Sequence, residues 1–237
     1  MKVVLIKRKY VIYGSLIFLL LLLTWLIGGY FYSENTVPTI QNVDPIYQGK
    51  TDQPNVAITI NVDWGEDIVP QMLKILKEKE VQATFFITGR FASKFPEVVR
   101  EIVAHGQEIG NHGYSHPHPD QISLEKNKEE IEKTHKILQE FTEEKIFLFA
   151  PPYGERGENC LKAANQLGYK TILWTADTVD WQKPAPSVIV ERVTGKKLTN
   201  GTIILMHPTP NTLEALPVII DTIREKGYVL KKVSEII

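Results

Sequence analysis

Apolar residues divide the chain into three zones. From Val11 to Tyr32 no charged residue occurs, and the stretch is apolar all round a helix. A helix of about 20 such residues is long enough to cross a bilayer core. Lys2, Lys7, Arg8 and Lys9 precede it, and basic residues mark the cytoplasmic end of such a segment. Residues 1–32 are therefore expected to form a cytoplasmic basic tail and a single-pass signal-anchor in the plasma membrane, with the rest outside. A cleaved signal peptide is the alternative, although TWLIGGYF offers no clear small-x-small cleavage site. Ser33 to Asn55 is polar, contains three prolines and has no sustained period, which predicts a linker.

From Val56 to the C-terminus short apolar runs alternate with amphipathic ones. VAITINVD, VQATFFIT, IFLFA, YKTILWTA and GTIILMH predict strands, with YVLKKVSEI as a possible last one. EDIVPQMLKILKEKE predicts a helix with Ile68, Met72, Ile75 and Leu76 near one face. Further helices are expected in PEVVREIVAHG, LEKNKEEIEKTHKILQEF, GENCLKAANQLG, PSVIVERVTGKK and TLEALPVIIDTIREKG. Strands apolar on both faces, alternating with helices in about seven units, predict an α/β domain over residues 56–237 with a parallel sheet or barrel. An open doubly wound sheet is the competitor. No G-x-G-x-x-G follows the first strand, so a nucleotide site is not expected.

Charge and cysteine usage narrow the classes. The 27 basic and 28 acidic side chains nearly balance, which argues against a nucleic-acid binder. The apolar content of 43% suffices for a core. Cys160 is the only cysteine, so neither an internal disulfide nor a cysteine-built zinc site is possible. Core filling is its best reading.

Polar residues collect where strands end: Asn61 and Asp63, His112 and His116, Tyr153, Asp177 and Asp180, and His207. In a barrel or open α/β sheet these ends share one face, where sites are built. Two imidazoles four residues apart, around Gly113 and before Pro117, can share a cation; surface or capping histidines would show the same spacing. His118 lies past Pro117 and is expected in solvent. Asp63 could add an oxygen ligand or cap a helix, though Glu66 and Asp67 suit capping better. Two histidines and a carboxylate would leave positions open, as in a catalytic zinc site. His207 beside a carboxylate could donate a proton. Trp174 and Trp181 suit a sugar-stacking cleft or a packed loop.

Taken together, ATFFITG, GQEIGNHGYSH, PPYG, the D-x-x-D-W segment and GTIILMHP resemble the NodB-homology polysaccharide deacetylases, especially the sporulation and cell-envelope members, over Val56 to Val233. The resemblance implies a distorted (β/α)7 barrel. It also implies metal-dependent removal of acetyl groups from an N-acetylated glycan such as peptidoglycan. The divalent cation, usually zinc, would sit on Asp63, His112 and His116. His207 would be the general acid oriented by Asp180, with Trp174 and Leu205 lining the acetyl pocket and Tyr153 at the oxyanion hole. Several positions depart from the family pattern, and Gly113 follows His112 where a serine or threonine is usual. Asn61 stands where the catalytic aspartate is usual, with Val62 at the metal aspartate in an ungapped match, so that Asp63 would have to serve as base or ligand. Ala150 stands where the arginine partner of that aspartate is usual. Losing both members of an ion pair is a coherent change. It leaves open a catalytically impaired protein that binds glycan or an envelope protein.

Overall fold

The computed structural model describes residues 7–34 and 44–237. The chain divides into two compact units, Met1–Asn42 and Val43–Ile237.

In the first unit the uncharged stretch is helical, as α1 (Arg8–Glu34). Its described apolar side chains, Leu16 to Leu23 and Trp25 among them, are exposed. Among the described residues no helix is long and apolar enough to cross a membrane, so the expected span over residues 11–32 is not supported at this level. Several side chains of that span, including those of Val11 and Leu26, and residues 35–43 of the expected linker lie outside the described residues.

The second unit is built on β1 (Asn55–Val62), which is buried along almost its whole length. The alternation read from the sequence holds. Ile58, Ile60 and Val62 join the main apolar cluster with helix residues, while Ala57 belongs to a separate inner cluster. Asn61 faces inward as well. Val62 is fully buried in the apolar layer, so a carboxylate at that position would point away from the site.

The other strands are β2 (Thr84–Ile87), β3 (Glu108–Asn111), β4 (Leu148–Phe149), β5 (Lys170–Thr171), β6 (Ala176–Asp177), β7 (Ile203–Met206) and β8 (Val229–Lys231). Their order is β5-β4-β3-β2-β1-β7-β6, with β8 also paired to β1. All ladders are parallel. Helices α2 (Val69–Glu78), α4 (Pro96–Ala104), α5 (Leu124–Leu138), α6 (Glu158–Gln166), α7 (Pro186–Thr194) and α8 (Pro210–Glu225) fall where the periodicity predicts. Helix α3 (Gly89–Lys94) and β3 escaped the pattern, being too short for an apolar period to register.

The expected strand over YKTILWTA is broken in two. β5 and β6 are the two ends of the sheet path, yet only Ile172 to Thr175 separate them in the chain. A link that short can span at most about 18 Å, so the sheet must curl until its edges approach. The expected barrel is thus an incompletely closed one, without a ladder between β5 and β6 among the described residues. Ile46 sits at the gap. Its N–H donates to the Thr171 carbonyl and its carbonyl accepts from the Leu173 N–H, both at 2.8 Å. Gly49 N–H donates to the Gly201 carbonyl. Residues 44–54, expected as linker, therefore belong to the folded unit, which begins ahead of the expected Val56.

Candidate active site

Because every ladder is parallel, the C-terminal ends of the strands converge on one side. They surround a cavity of about 520 Å³ lined by Asn61 of β1 with Asp63 and Trp64 after it, His112 and His116 after β3, Tyr153 and Gly154 after β4, Trp174, Asp177 and Trp181 around β6, and Leu205 of β7 with His207 just after it. All but two of the expected site residues line this one space. The exceptions are Asp180 and Ala150, which act from behind it.

His207 and Asp180 form the best-defined pair. Asp180 is fully buried and accepts from the His207 ring Nδ1 at 2.8 Å, the His207 backbone N–H at 2.7 Å and the Thr212 hydroxyl at 2.7 Å. Burial alone would raise its pKa. The hydrogen bond and charge of His207, its backbone N–H and the Thr212 hydroxyl outweigh that and hold the carboxyl below the usual range. The preceding Val179 is left-handed, at φ 50°, strained for a β-branched residue. Asp177 supports that turn by accepting the Val179 N–H at 2.8 Å. With Nδ1 engaged by Asp180, the Nε2 edge of His207 is left for the cavity, with Trp64 lying parallel to the ring at 6.4 Å.

On the opposite wall His112 is almost fully buried. Its ring Nδ1 lies 2.7 Å from the Ala150 carbonyl. That acceptor fixes the proton on Nδ1 and turns the Nε2 lone pair to the cavity, the usual support of a metal-binding imidazole. Burial, then the charge of His116, pushes His112 down to about 3, and burial also lowers His116. Both shifts favour the neutral ring, the form in which an imidazole can bind a metal. Their centroids are 5.0 Å apart, with Tyr153 against the edge of His116 at 4.7 Å. His116 itself adopts φ 58°. Its loop is held by Glu130 of α5, which accepts the Tyr114 and Ser115 N–H groups and the Ser115 hydroxyl. Glu130 was not foreseen. Its only sequence signal was a carboxylate on the buried face of a charged helix. His118 is exposed as expected, stacks on Tyr153 at 3.9 Å and pairs with Glu155.

The carboxylate does not join the histidines. Asp63 Oδ1 accepts from the Thr88 hydroxyl at 2.9 Å and from Arg90 Nε at 2.6 Å, and Arg90 Nη2 contacts Oδ2. Among the described residues no group of three or more His, Cys, Asp or Glu side chains could hold a metal ion. The expected ligand set of Asp63, His112 and His116 thus fits a cation in its two imidazoles and not in its carboxylate, which is committed to a guanidinium. The base is altered too. Asn61 is buried with its Oδ1 without a hydrogen-bond partner, and an amide does not take up a proton as a carboxylate does. Ala150 is buried, with its carbonyl supporting His112; no guanidinium comes from that side.

The pocket floor is closely packed. Gly154 has φ +67°, and a Cβ there would lie 2.5 Å from the Trp174 ring, so a bare backbone lets the indole and the Tyr153 turn meet. Cys160 is buried in α6 with its thiol pushed up to about 12, chiefly by burial, as a core filler should be.

Comparison with known proteins places this geometry. The sequence profile described as polysaccharide deacetylase matches residues 48–172. The Bacillus subtilis protein YlxY, itself described as uncharacterised, is 41% identical over 193 residues, 81% of this chain and 60% of that protein. This chain thus spans less than two thirds of that relative. A peptidoglycan-N-acetylglucosamine deacetylase of Bacillus cereus is 35% identical over 76% of this chain and 67% of its own length. Among solved structures, a CE4-family pseudoenzyme of Bacillus anthracis superposes with a TM-score of 0.79 at 38% identity, covering 83% of this chain and 69% of that one. A mutant of that pseudoenzyme, described as having restored enzymatic activity, superposes with the same score at 37% identity, covering 83% and 72%.

Proposed function

This chain belongs to the polysaccharide deacetylase family, and from that premise we propose that its cavity takes an N-acetylated sugar of an envelope glycan such as peptidoglycan and removes the acetyl group. Family members are hydrolases of the amide bond in N-acetylated sugars and are generally dependent on a divalent metal. The observation that carries the proposal is the facing of two supported imidazoles, His112 and His116, by the His207–Asp180 pair across one cavity.

The chain's own residues can do the following. Trp174 and Leu205 shape a pocket for the acetyl methyl group, and Tyr153, Trp64 and Trp181 offer exposed aromatic faces for sugar rings. The Tyr153 turn brings backbone toward the place of the carbonyl oxygen, the position of an oxyanion hole. His207 delivers a proton to the departing nitrogen, and Asp180 orients the ring and stabilises its charge. Water supplies the oxygen, and acetate and a free amine leave. Zinc, on His112 and His116, would polarise the carbonyl and acidify a water. Asn61 stands where the family's carboxylate base is usual, and the Asp63 carboxylate is engaged by Thr88 and Arg90.

That gap favours a second reading, a glycan-binding domain with hydrolysis impaired. Both readings share the cleft and the ligand. The test is acetate release from N-acetylated sugar oligomers and from peptidoglycan by the full chain in detergent micelles with added zinc or cobalt. Acetate release that disappears in His207→Ala supports the hydrolase. Glycan binding without acetate, together with release restored by the double variant Asn61→Asp/Ala150→Arg, supports the impaired domain and overturns the hydrolase reading.

The same proposal extends to location. The uncharged stretch after four basic residues and the exposed apolar side chains of α1 support an anchor in the plasma membrane, with residues 43–237 on the outer side. Extraction of the chain from membranes by alkaline carbonate would defeat that placement.

A further inference from the structure

The sequence provides one carboxylate for the histidine pair, and the structure gives it to another cation. Arg90 is the second residue of α3, whose N-terminus is fixed against the histidine loop. Gly89 N–H donates to the Gly113 carbonyl and Arg90 N–H to the Tyr114 carbonyl, at 2.9 and 3.0 Å. Gly89 packs so tightly on Tyr114 and Thr134 that a Cβ would lie 2.5 Å from the Tyr114 ring. From this fixed backbone the guanidinium reaches both oxygens of Asp63. Thr88, the N-cap of α3, donates to Oδ1 and so aligns the carboxylate with the fork. The Asp63 side chain is only 12% exposed while that of Arg90 is 50% exposed, so this is a two-point ion pair whose carboxylate is buried and whose guanidinium is half in solvent, more directional than a single-contact pair.

A carboxylate offers about four lone-pair sites. Three are taken here. A divalent cation at the fourth would also stand next to a permanent positive charge. We propose that Arg90 is a positioning residue that holds Asp63 out of the coordination shell of His112 and His116, so that a divalent cation on this chain is bound by the two imidazoles without a carboxylate. The function of Arg90 is then to set metal affinity. The ion pair also weakens Asp63 as a substitute for the missing base, because three of its roughly four lone-pair sites are engaged by the guanidinium and the Thr88 hydroxyl.

Metal affinity tests this without reference to hydrolysis. Zinc binding to the full chain in micelles is measured by competition with a chromophoric chelator, and cobalt binding by its visible d–d absorption. Arg90→Gln, which frees Asp63, is expected to tighten zinc binding by about tenfold or more and to strengthen the cobalt bands as an oxygen ligand joins. Asp63→Asn in the otherwise unchanged chain is expected to alter affinity by no more than about twofold, since the carboxylate is not a ligand there. The double variant Arg90→Gln/Asp63→Asn should lose the gain. A large loss of zinc in Asp63→Asn alone, or an unchanged affinity and cobalt spectrum in folded Arg90→Gln, overturns the proposal. Circular dichroism confirms folding of each variant. Acetate assays run in parallel keep the hydrolase reading separate, because metal binding can follow the expectation whether or not acetate is released.

Discussion

Asp180 grips His207 twice, through the ring Nδ1 and through the backbone N–H, and spends one carboxylate oxygen on each. The arrangement fixes both the tautomer and the orientation of the ring. Asp180→Asn should therefore cost more than charge. An amide nitrogen facing Nδ1 would donate to it, move the ring proton to Nε2 and favour the neutral ring, so a proton could no longer be stored for the leaving amine. Acetate release, where present, should fall about a hundredfold or more. Glycan binding should remain near wild type. A kcat as high as that of the parent would exclude His207 as the acid.

The same pair makes a pH prediction. Asp180 has a pKa held below its unfolded value, which is about 3.9 for an unperturbed aspartate. Such a group stabilises the fold fully above the unfolded pKa, and the contribution is lost as pH falls through the folded one. Wild type should therefore exceed Asp180→Asn by on the order of 2 kcal/mol at pH 7, from lost charge-assisted hydrogen bonds. The difference should shrink below about pH 4. Denaturant midpoints measured across pH 3 to 7 check this. A gap of constant size would show that the carboxylate charge is not what matters.

The alternation of strands with helices and the convergence of residues on one face were legible because parallel strands are buried on both faces and leave continuous apolar runs. Asn61 and Val62 show how far that legibility goes: a two-residue alternation was enough to tell which side chain enters the cavity. The partner of Asp63 was not legible. Arg90 stands 27 residues further on in a helix too short to show a period, and only the packing of α3 on the histidine loop brings it back. A charged residue at a strand end reads equally as ligand, cap or ion-pair member until its neighbours across the sheet are known. Ile46 was hidden for a related reason. Polar, proline-containing sequence looks like linker, although a single apolar residue in it seals the gap between β5 and β6.

Gly154 links backbone conformation to the pocket. Gly154→Ala puts a methyl group into the Trp174 ring on a backbone already at φ +67°. The residue must shift or the indole must move. The expected loss of stability is on the order of 2 kcal/mol from overpacking and left-handed strain, with a change in tryptophan emission and weaker binding of N-acetylated oligomers. Unchanged ligand affinity would mean that Trp174 does not shape the acetyl pocket.

The paired substitutions at Asn61 and Ala150 make the sharpest prediction about turnover. Asn61 Oδ1 has no hydrogen-bond partner in a buried position, so an aspartate placed there alone would be a desolvated carboxylate with no counter-charge. Its pKa would rise, the neutral acid would dominate, and its value as a base would be small. Arg90 cannot supply the counter-charge, since Asp63 already engages both Nε and Nη2. An arginine at residue 150 enters next to the carbonyl that supports His112, on the wall facing the same cavity. The prediction is therefore non-additive. Asn61→Asp should raise acetate release modestly, Ala150→Arg alone should not raise it, and the double variant should gain about a hundredfold over the parent, the usual worth of a positioned general base. Comparable gains from Asn61→Asp alone and from the pair would sink the idea that the two positions changed as one ion pair. A loss of His112-dependent zinc binding in Ala150→Arg would show instead that residue 150 had to stay small to hold the ligand.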